Sequence, residues 1–192
     1  MDEAEGKRAV EIARQAIEMW VKSKEKLEPR QCEYPKSFDE KSGAFVTLFT
    51  YPNKELRGCI GYPEPSKPLI EALIDSAVSA TQDPRFPPLL PDELNKVVIH
   101  VSILTKPEII IVKNPKDYPD KIKRGDDGLI IEMGYNRGLL LPEVAEEYNM
   151  DAETFLSQTC LKAGLQDNAW LNKEIKIYKF QSKIFKEKEP NK

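Results

Sequence analysis

The 192-residue sequence has few of the residues that hold metals or build disulfide frameworks. Its three cysteines, Cys32, Cys59 and Cys160, form no Cys-x-x-Cys pair, and His100 is the single histidine. Dispersed cysteines in odd number favour neither a disulfide framework nor a zinc ribbon. A lone histidine without HExxH or GxSxG around it does not indicate a zinc protease or a serine hydrolase. We therefore predict no metal site, leave the cofactor open, and expect His100 at the edge of a core.

Long apolar runs and a strong excess of either charge are also lacking. No stretch approaches the roughly 20 apolar residues of a membrane-spanning helix, and the acidic N-terminal segment has no signal-peptide pattern. The formal net charge is −3 and the pI is about 5.5, without the basic footprint of nucleic-acid binding. With 40% hydrophobic and 32% charged residues, the composition is globular. We expect a cytoplasmic protein that binds neither nucleic acid nor a membrane.

What stands out instead is the heptapeptide LRGCIGY at residues 56–62. In a strand, alternation would place Arg57, Cys59 and Gly61 on one face. A guanidinium beside a thiol favours the thiolate, and glycines inside a strand often mark a close approach to the backbone. One interpretation makes Cys59 a reactive or ligand-binding thiol. The alternative is that Cys59 is a small buried hydrophobic residue.

A second unusual segment, residues 83–88, reads DPRFPP. Prolines fix the backbone, so the segment either restricts the unfolded chain or holds an arginine rigidly at a site. Asp83, the acidic residue of this segment, either forms a turn before proline or belongs to that site. The only general bases available to a reactive thiol are ionisable groups without further context: His100, Asp83 and Glu132. The complete candidate site consists of Cys59, Arg57, Arg85, Glu132 and Asp83.

Hydrophobic periodicity predicts an α+β fold that begins with a helix at about residues 3–27. A hairpin follows, with one strand opening at Gly43 and the LRGCIGY stretch as its return strand. Ser66 is expected to cap the next helix, and residues 97–104 form a strong strand. Residues 91–96 are expected to add a helical turn.

The plan of hairpin, helix and strand recurs in the second half of the sequence. A strand opens at Gly128, Arg137-Gly138 lies in its return strand, and Asp151 caps a helix that carries Cys160 in its apolar stripe. A last strand covers residues 174–180, and the charged tail from Lys183 is expected to fray.

Self-similarity of this kind predicts a duplication within a single domain over residues 1–192. Its first half covers about residues 43–106 and its second about 128–182. In the second half, Leu139 and Leu141 replace Cys59 and Gly61. We therefore expect a packed second copy and, in the first copy, a thiol with open space beside it.

Seven stretches of the chain together resemble the AMMECR1 family. They run in the family's order from about residue 5 to residue 185, and the hexapeptide LRGCIG at residues 56–61 is the family's signature. The stretches are residues 43–48, 56–62, 83–88, 101–105, 128–134, 137–142 and 155–165. The resemblance implies an α+β fold with two related β-rich halves and flanking helices. It also implies a protein without an established biochemical activity.

The resemblance has further implications for partners and for one residue. Microbial members are often encoded near Memo-like and radical-SAM proteins, which indicates a shared pathway. Many members have a histidine just before the Gly-Leu-Ile strand, where this chain has Asp126-Asp127. A role assigned to that histidine is therefore not carried over.

Two functional hypotheses follow. In the first, the protein is an enzyme or an enzyme's accessory subunit, and Cys59 acts as nucleophile or ligand while Arg57 or Arg85 holds an anionic group. The second is a non-catalytic protein-interaction or regulatory module whose binding surface is the LRGCIG motif. The expected partner is accordingly a small-molecule ligand or a protein. We expect a concave pocket lined by Cys59, with Arg57 or Arg85 reaching it and an acidic residue, Glu132 or Asp83, nearby.

Overall fold

Helices and antiparallel strands alternate along residues 1–188, the part of the chain that the computed structural model describes. Within the described residues, the chain divides into two units, Met1–Leu104 together with Lys183–Lys188, and Thr105–Ser182. Each unit combines helices with antiparallel strands, and the α+β prediction is confirmed.

Helix α1, Glu3–Ser23, forms where the apolar positions recur at helical spacing. Asp2 begins it with a capping box that includes Glu5. The helix ends before the predicted residue 27 because Lys24 adopts a left-handed conformation, with φ of 60°, and donates its N–H to the Trp20 carbonyl. The buried stripe consists of Gly6, Ala9, Val10, Ile12, Ala13, Ala16, Ile17 and Val21.

The sheet of the first unit contains β1, Ala44–Thr50, β2, Leu56–Tyr62, and β3, Val97–Leu104. The first strand lies between the other two, and both pairings are antiparallel. Ala44, Val46 and Leu48 on one face of β1 are fully buried, and α1 and α2, Leu69–Ala80, pack against the sheet. The other face is only half-buried, and it carries the side chains considered below.

The start of α2 differs from the prediction. Pro68 occupies the N-cap position, not Ser66, and no side chain caps the helix. The Glu40 carbonyl instead accepts a hydrogen bond of 2.9 Å from the Leu69 N–H. Proline has no N–H, so the cap residue adds no backbone donor that needs a partner. The Glu40 carbonyl satisfies the N–H of the first helical residue. The predicted helical turn at Pro91–Lys96 is present as a 3-10 helix.

Four strands form the sheet of the second unit. They are β4, Glu108–Ile109, β5, Asp127–Met133, β6, Asn136–Leu140, and β7, Lys176–Lys186. The central strand β5 pairs with β6 on one side and with β7 on the other, and β4 pairs with β7. Each unit therefore contains a hairpin whose first strand also pairs with a later strand, the order that a duplication predicts. The two-fold relation and the single domain stay predictions.

Two helices follow the second hairpin, where the sequence predicted one. The unpredicted helix α3, Pro142–Glu147, begins with a proline, whose fixed φ suits the first helical position. The predicted helix is α4, Ala152–Lys162, and the Asp151 side chain accepts the Thr154 N–H as expected. Just after α4, Gly164 adopts a left-handed conformation with φ of 74°, which ends the helix.

The prediction that the tail frays from Lys183 is wrong for the residues that the structure describes. Strand β7 continues to Lys186, and Phe185 is buried against Gly6 of α1. The Glu187 carboxylate pairs with the Arg14 guanidinium, and its backbone N–H donates to Ile99. The buried Phe185 ring and the partly buried Glu187–Arg14 ion pair hold this segment in place, although its charged composition is typical of a solvated tail. The prediction for residues 189–192 lies outside the described residues.

Candidate functional site

Cys59 lies on β2, the strand that closes one side of the first unit's sheet, and it is half-buried. In the antiparallel register it is opposite Thr47 of β1. The Thr47 hydroxyl donates a hydrogen bond of 3.1 Å to the Cys59 sulfur. This contact holds the sulfur on the half-buried face of the sheet. Sequence reasoning missed Thr47, because its placement depends on the hairpin register.

The DPRFPP segment packs along the outer edge of β2. The Cys59 N–H donates to Asp83 Oδ2 over 2.9 Å, and Arg85 Nη2 donates to the Cys59 carbonyl over 3.3 Å. Arg85 also binds Asp83 through Nε at 3.0 Å and Nη2 at 2.7 Å. This aspartate–arginine pair satisfies backbone groups of Cys59 that would otherwise lie on an open sheet edge. The structure thus brings three of the predicted site residues together.

The two partners differ sharply in exposure. The Asp83 side chain is 1% exposed and the Arg85 side chain 57%. Hydrogen bonds from Arg85, with further ones from the backbone N–H groups of Cys59 and Arg85, hold the pKa of Asp83 well below its usual range against the opposing effect of burial. The same pairing raises the pKa of Arg85. Asp83 is therefore ionised at neutral pH and suited to position Arg85, while a general base would need a higher pKa.

Arg57 is engaged elsewhere in the first unit. The register of β2 shifts beside it, since Leu48 pairs with Gly58 and Phe49 with Leu56. Such a bulge re-aims a side chain. The Arg57 guanidinium binds the Glu93 carboxylate at 2.8 and 3.0 Å and donates to the Pro87 carbonyl. Its contacts brace the segment that follows Arg85.

The two glycines of the motif have packing partners. A Cβ atom on Gly58 would lie 2.2 Å from the Ala80 carbonyl oxygen, so glycine allows β2 to approach the end of α2. A Cβ atom on Gly61 would lie 2.4 Å from the Phe45 ring, which covers that position. The expectation of open space at Gly61 is therefore wrong, because the aromatic ring of the neighbouring strand occupies it. In the second unit, Gly138 approaches Ala163 in the same way.

His100 of β3 lies opposite Thr47 on the other side of β1. Cys59, Thr47 and His100 thus form one cross-strand row on the half-buried face. Burial is the main cause that holds the pKa of His100 below its usual value, and the nearby charges of Lys186 and Lys54 act in the same direction. A neutral imidazole at physiological pH follows. From the sequence, His100 is a possible general base only because it is ionisable, and no sequence pattern places it near Cys59.

The remaining predicted residue, Glu132, belongs to the second unit, where its carboxylate pairs with Arg137 Nε at 3.0 Å. The other two thiols have no comparable surroundings. Cys160 is fully buried in the second unit's core, as predicted, and burial raises the pKa of its thiol to about 11. The Cys32 thiol donates to the Pro29 carbonyl, and burial raises its pKa.

Across residues 1–188, no three histidine, cysteine, aspartate or glutamate side chains are grouped so that they could hold a metal ion. Within the same residues, no helix is both long enough and apolar enough to span a membrane.

Comparison with known proteins connects this architecture with a family. The AMMECR1 family model matches residues 10–185. Protein MJ0810 of Methanocaldococcus jannaschii is 54% identical over 187 residues, which cover 97% of this chain and 92% of that protein. A Thermofilum pendens protein is 51% identical over 97% of this chain and 91% of its own length. The crystal structure of uncharacterized protein PH0010 from Pyrococcus horikoshii matches with a TM-score of 0.83 and 45% identity, over 99% of this chain and 95% of that one. The chain therefore belongs to the AMMECR1 family.

Proposed function

We propose that the edge of β2 at Cys59 binds a small anionic molecule, with the thiol in contact with the ligand and Arg85 holding the ligand's anionic group. The observation that carries this proposal is the pairing of Asp83 and Arg85 on both backbone groups of Cys59. It fixes the Arg85 guanidinium at the backbone of Cys59 and leaves Nη1 for a ligand, and the Arg85 side chain is 57% exposed.

The chemistry of the three side chains fits these roles. Arg85 uses Nε and Nη2 for Asp83 and the Cys59 carbonyl, which leaves Nη1 to donate to a phosphate or carboxylate oxygen. The Thr47 hydroxyl donates to the Cys59 sulfur. The buried Asp83 carboxylate keeps Arg85 in place, which lowers the entropic cost of binding an anion. Arg57 has the weaker claim to that role, because Glu93 and Pro87 engage all three of its guanidinium nitrogens and its side chain is 13% exposed.

Charge-selective alkylation tests the proposal. Iodoacetate and iodoacetamide place the same reactive carbon on an anionic and a neutral reagent, and each is attacked by the thiolate with loss of iodide. Peptide mass spectrometry follows Cys59 separately from the other two thiols. We expect Arg85→Gln to reduce the iodoacetate-to-iodoacetamide rate ratio at Cys59 by roughly threefold to tenfold, since the lost charge is bound to the backbone carbonyl of the same residue.

Arg85→Lys is the matched control, because it keeps the positive charge and should keep most of the ratio. The buried Cys160 reports folding in the same sample, since it should stay unlabelled in every native variant. A ratio at Cys59 that does not change in Arg85→Gln contradicts the proposed anion-binding role.

A protein-interaction module is the second candidate, and two exposed leucines favour it. Leu56 precedes Arg57 and is 39% exposed, and Leu90, whose N–H binds Glu93, is 57% exposed. Exposed apolar side chains around an ion pair suit a protein contact. Memo-like and radical-SAM proteins are the partners to test by calorimetric titration. Under this candidate, Leu90→Ser weakens the complex and leaves Cys59 alkylation unchanged.

A further inference from the structure

A cleft of about 250 Å³ lies on the second unit of the chain. We call it the Asp127 cleft. It has a strongly polar lining, although none of its residues belongs to the candidate site at Cys59. The polar side chains in the lining are those of Thr105, Lys106, Glu108, Asp127, Lys179 and Gln181.

The strand register brings these side chains together. Asp127 of β5 is opposite Gln181 of β7, and Glu108 of β4 is opposite Lys179 of β7. The Thr105 hydroxyl accepts the Gln181 N–H at 2.8 Å, and the Thr105 N–H donates to the Gln181 carbonyl at 2.8 Å. Backbone pairing along β7 therefore holds the lining in place from both sides.

Asp127 is a buried carboxylate with one close partner. Its side chain is 1% exposed. Oδ2 accepts the Lys123 N–H at 2.9 Å, whereas the contacts from Lys179 Nζ to Oδ2 and from Gln181 Nε2 to Oδ1 are both 3.4 Å. An ionised carboxylate accepts about four hydrogen bonds, and N–H donors usually lie about 2.7–3.2 Å away. Asp127 therefore retains the capacity for a closer donor, which a ligand in the cleft can supply.

Charges of both signs line the cleft, at different depths. Lys179 serves two carboxylates, since its Nζ is 3.4 Å from Asp127 and its strand position is opposite Glu108. Lys179 also donates to the Lys121 carbonyl at 3.2 Å. Lys106 is exposed, and no carboxylate among the described residues pairs with it. The buried end of the cleft therefore suits a cationic group, and the exposed end presents a cation of its own.

We propose that the Asp127 cleft binds a small zwitterion of the amino-acid type, with its ammonium group on Asp127 and its carboxylate on Lys106 and Thr105. The Thr105 hydroxyl oxygen accepts a hydrogen bond from Gln181, so its proton can be donated to that carboxylate. A cleft of about 250 Å³ is smaller than the roughly 300–1,000 Å³ of sites for drug-sized ligands. The inference goes beyond the proposed function, because it uses no residue of the Cys59 site.

Three probes with the same carbon skeleton separate the two charges. L-alanine carries both, L-alaninamide keeps the ammonium group without the carboxylate, and propionate keeps only the carboxylate. At a pH of about 6.5 each probe holds these charges. Binding is followed by the amide NMR resonances of Lys123, whose N–H donates to Asp127, and of Gln181.

We expect L-alanine to bind about tenfold more tightly than either of the other probes, because only L-alanine satisfies both ends of the cleft. If propionate or L-alaninamide binds as tightly as L-alanine, the proposal is overturned. It is also overturned if about 10 mM L-alanine shifts neither resonance.

Charge-removing variants assign the two ends of the ligand. Lys106→Gln should weaken L-alanine binding by roughly threefold to tenfold and leave L-alaninamide binding unchanged. Lys162→Gln is the matched control, since this lysine of α4 is also exposed and its replacement removes the same charge without affecting either probe. An equal loss in the two variants, or no loss in Lys106→Gln, contradicts the proposal.

Asp127→Asn tests the buried end. The asparagine side-chain oxygen can still accept the Lys123 N–H, but the negative charge is lost. Binding of both ammonium probes should fall at least about tenfold, and unchanged L-alaninamide binding overturns the assignment of the ammonium group to Asp127. The Lys106→Gln comparison decides the proposal on its own if Asp127→Asn does not fold.

Discussion

Cys59 and Cys160 carry the same side chain in different surroundings. The first is half-buried under the Thr47 hydroxyl, and the second is enclosed in the core of the second unit. Cys160→Ser should lower the free energy of unfolding by about 1–3 kcal/mol, because it places a hydroxyl in an apolar core. Cys59→Ser should cost less than about 0.5 kcal/mol, typical of positions outside the core, and abolish ligand binding. Denaturant unfolding of the two variants makes the comparison, and equal losses of stability would identify the motif as a packing element.

Ionisation of Asp83 should make the free energy of unfolding depend on pH in the acid range. Its pKa is depressed in the folded chain, chiefly by the Arg85 hydrogen bonds, so its ionisation favours folding. This contribution is fully present above the unfolded pKa of about 3.9 and is lost as the pH falls further. Asp83→Asn should therefore destabilise the protein at neutral pH, and the difference from wild type should shrink below about pH 4.

Unfolding free energies of Asp83→Asn at several pH values measure this dependence. Asp92→Asn is the control, since this aspartate is 73% exposed and pairs with Lys96 in a surface contact. A destabilisation by Asp83→Asn that is constant down to pH 2 would show that the charge does not contribute.

The second strand of each hairpin approaches a helix end through a glycine. Gly58 meets the Ala80 carbonyl, and Gly138 meets the backbone of Ala163 at 2.4 Å. Gly58→Ala and Gly138→Ala should each cost about 1–3 kcal/mol, because backbone atoms must move to admit a methyl group. Gly134→Asn is the control, since Gly134 is left-handed and no atom lies within 4 Å of an added Cβ. Thermal melts that show a neutral Gly58→Ala would refute the close-approach explanation.

The sequence predicted the elements better than it predicted the site. Alternation and helical periodicity are local, and they predicted the strand at 97–104 and the Asp151 cap. The extension of β7 to Lys186 was missed because Phe185 is buried by contacts with a segment far along the chain.

For the site, proline spacing predicted a rigid loop with Arg85, but not that the loop would bind the edge of β2. Strict alternation predicts Arg57 on the face of Cys59, but a bulge beside Arg57 alters the alternation, and its guanidinium binds Glu93 and Pro87. The row of Cys59, Thr47 and His100 likewise depends on the pairing of three strands that are separated in sequence.

The charge of the whole molecule limits the choice of partners. With a formal net charge of −3, the chain should not bind generic duplex DNA or RNA through phosphate contacts. Fluorescence anisotropy with a labelled duplex at low salt tests this expectation, with a basic DNA-binding protein as positive control. Micromolar binding that weakens steeply with salt would contradict it.

The accessibility of the Cys59 thiol is measured by alkylating the native protein with iodoacetamide near neutral pH and following all three cysteines by mass spectrometry. We expect Cys59 to be modified fastest and Cys160, which is fully buried and has a pKa of about 11, to react only on unfolding. If Cys59 also stays unmodified until the protein unfolds, it is not a reactive thiol and LRGCIG is a packing motif.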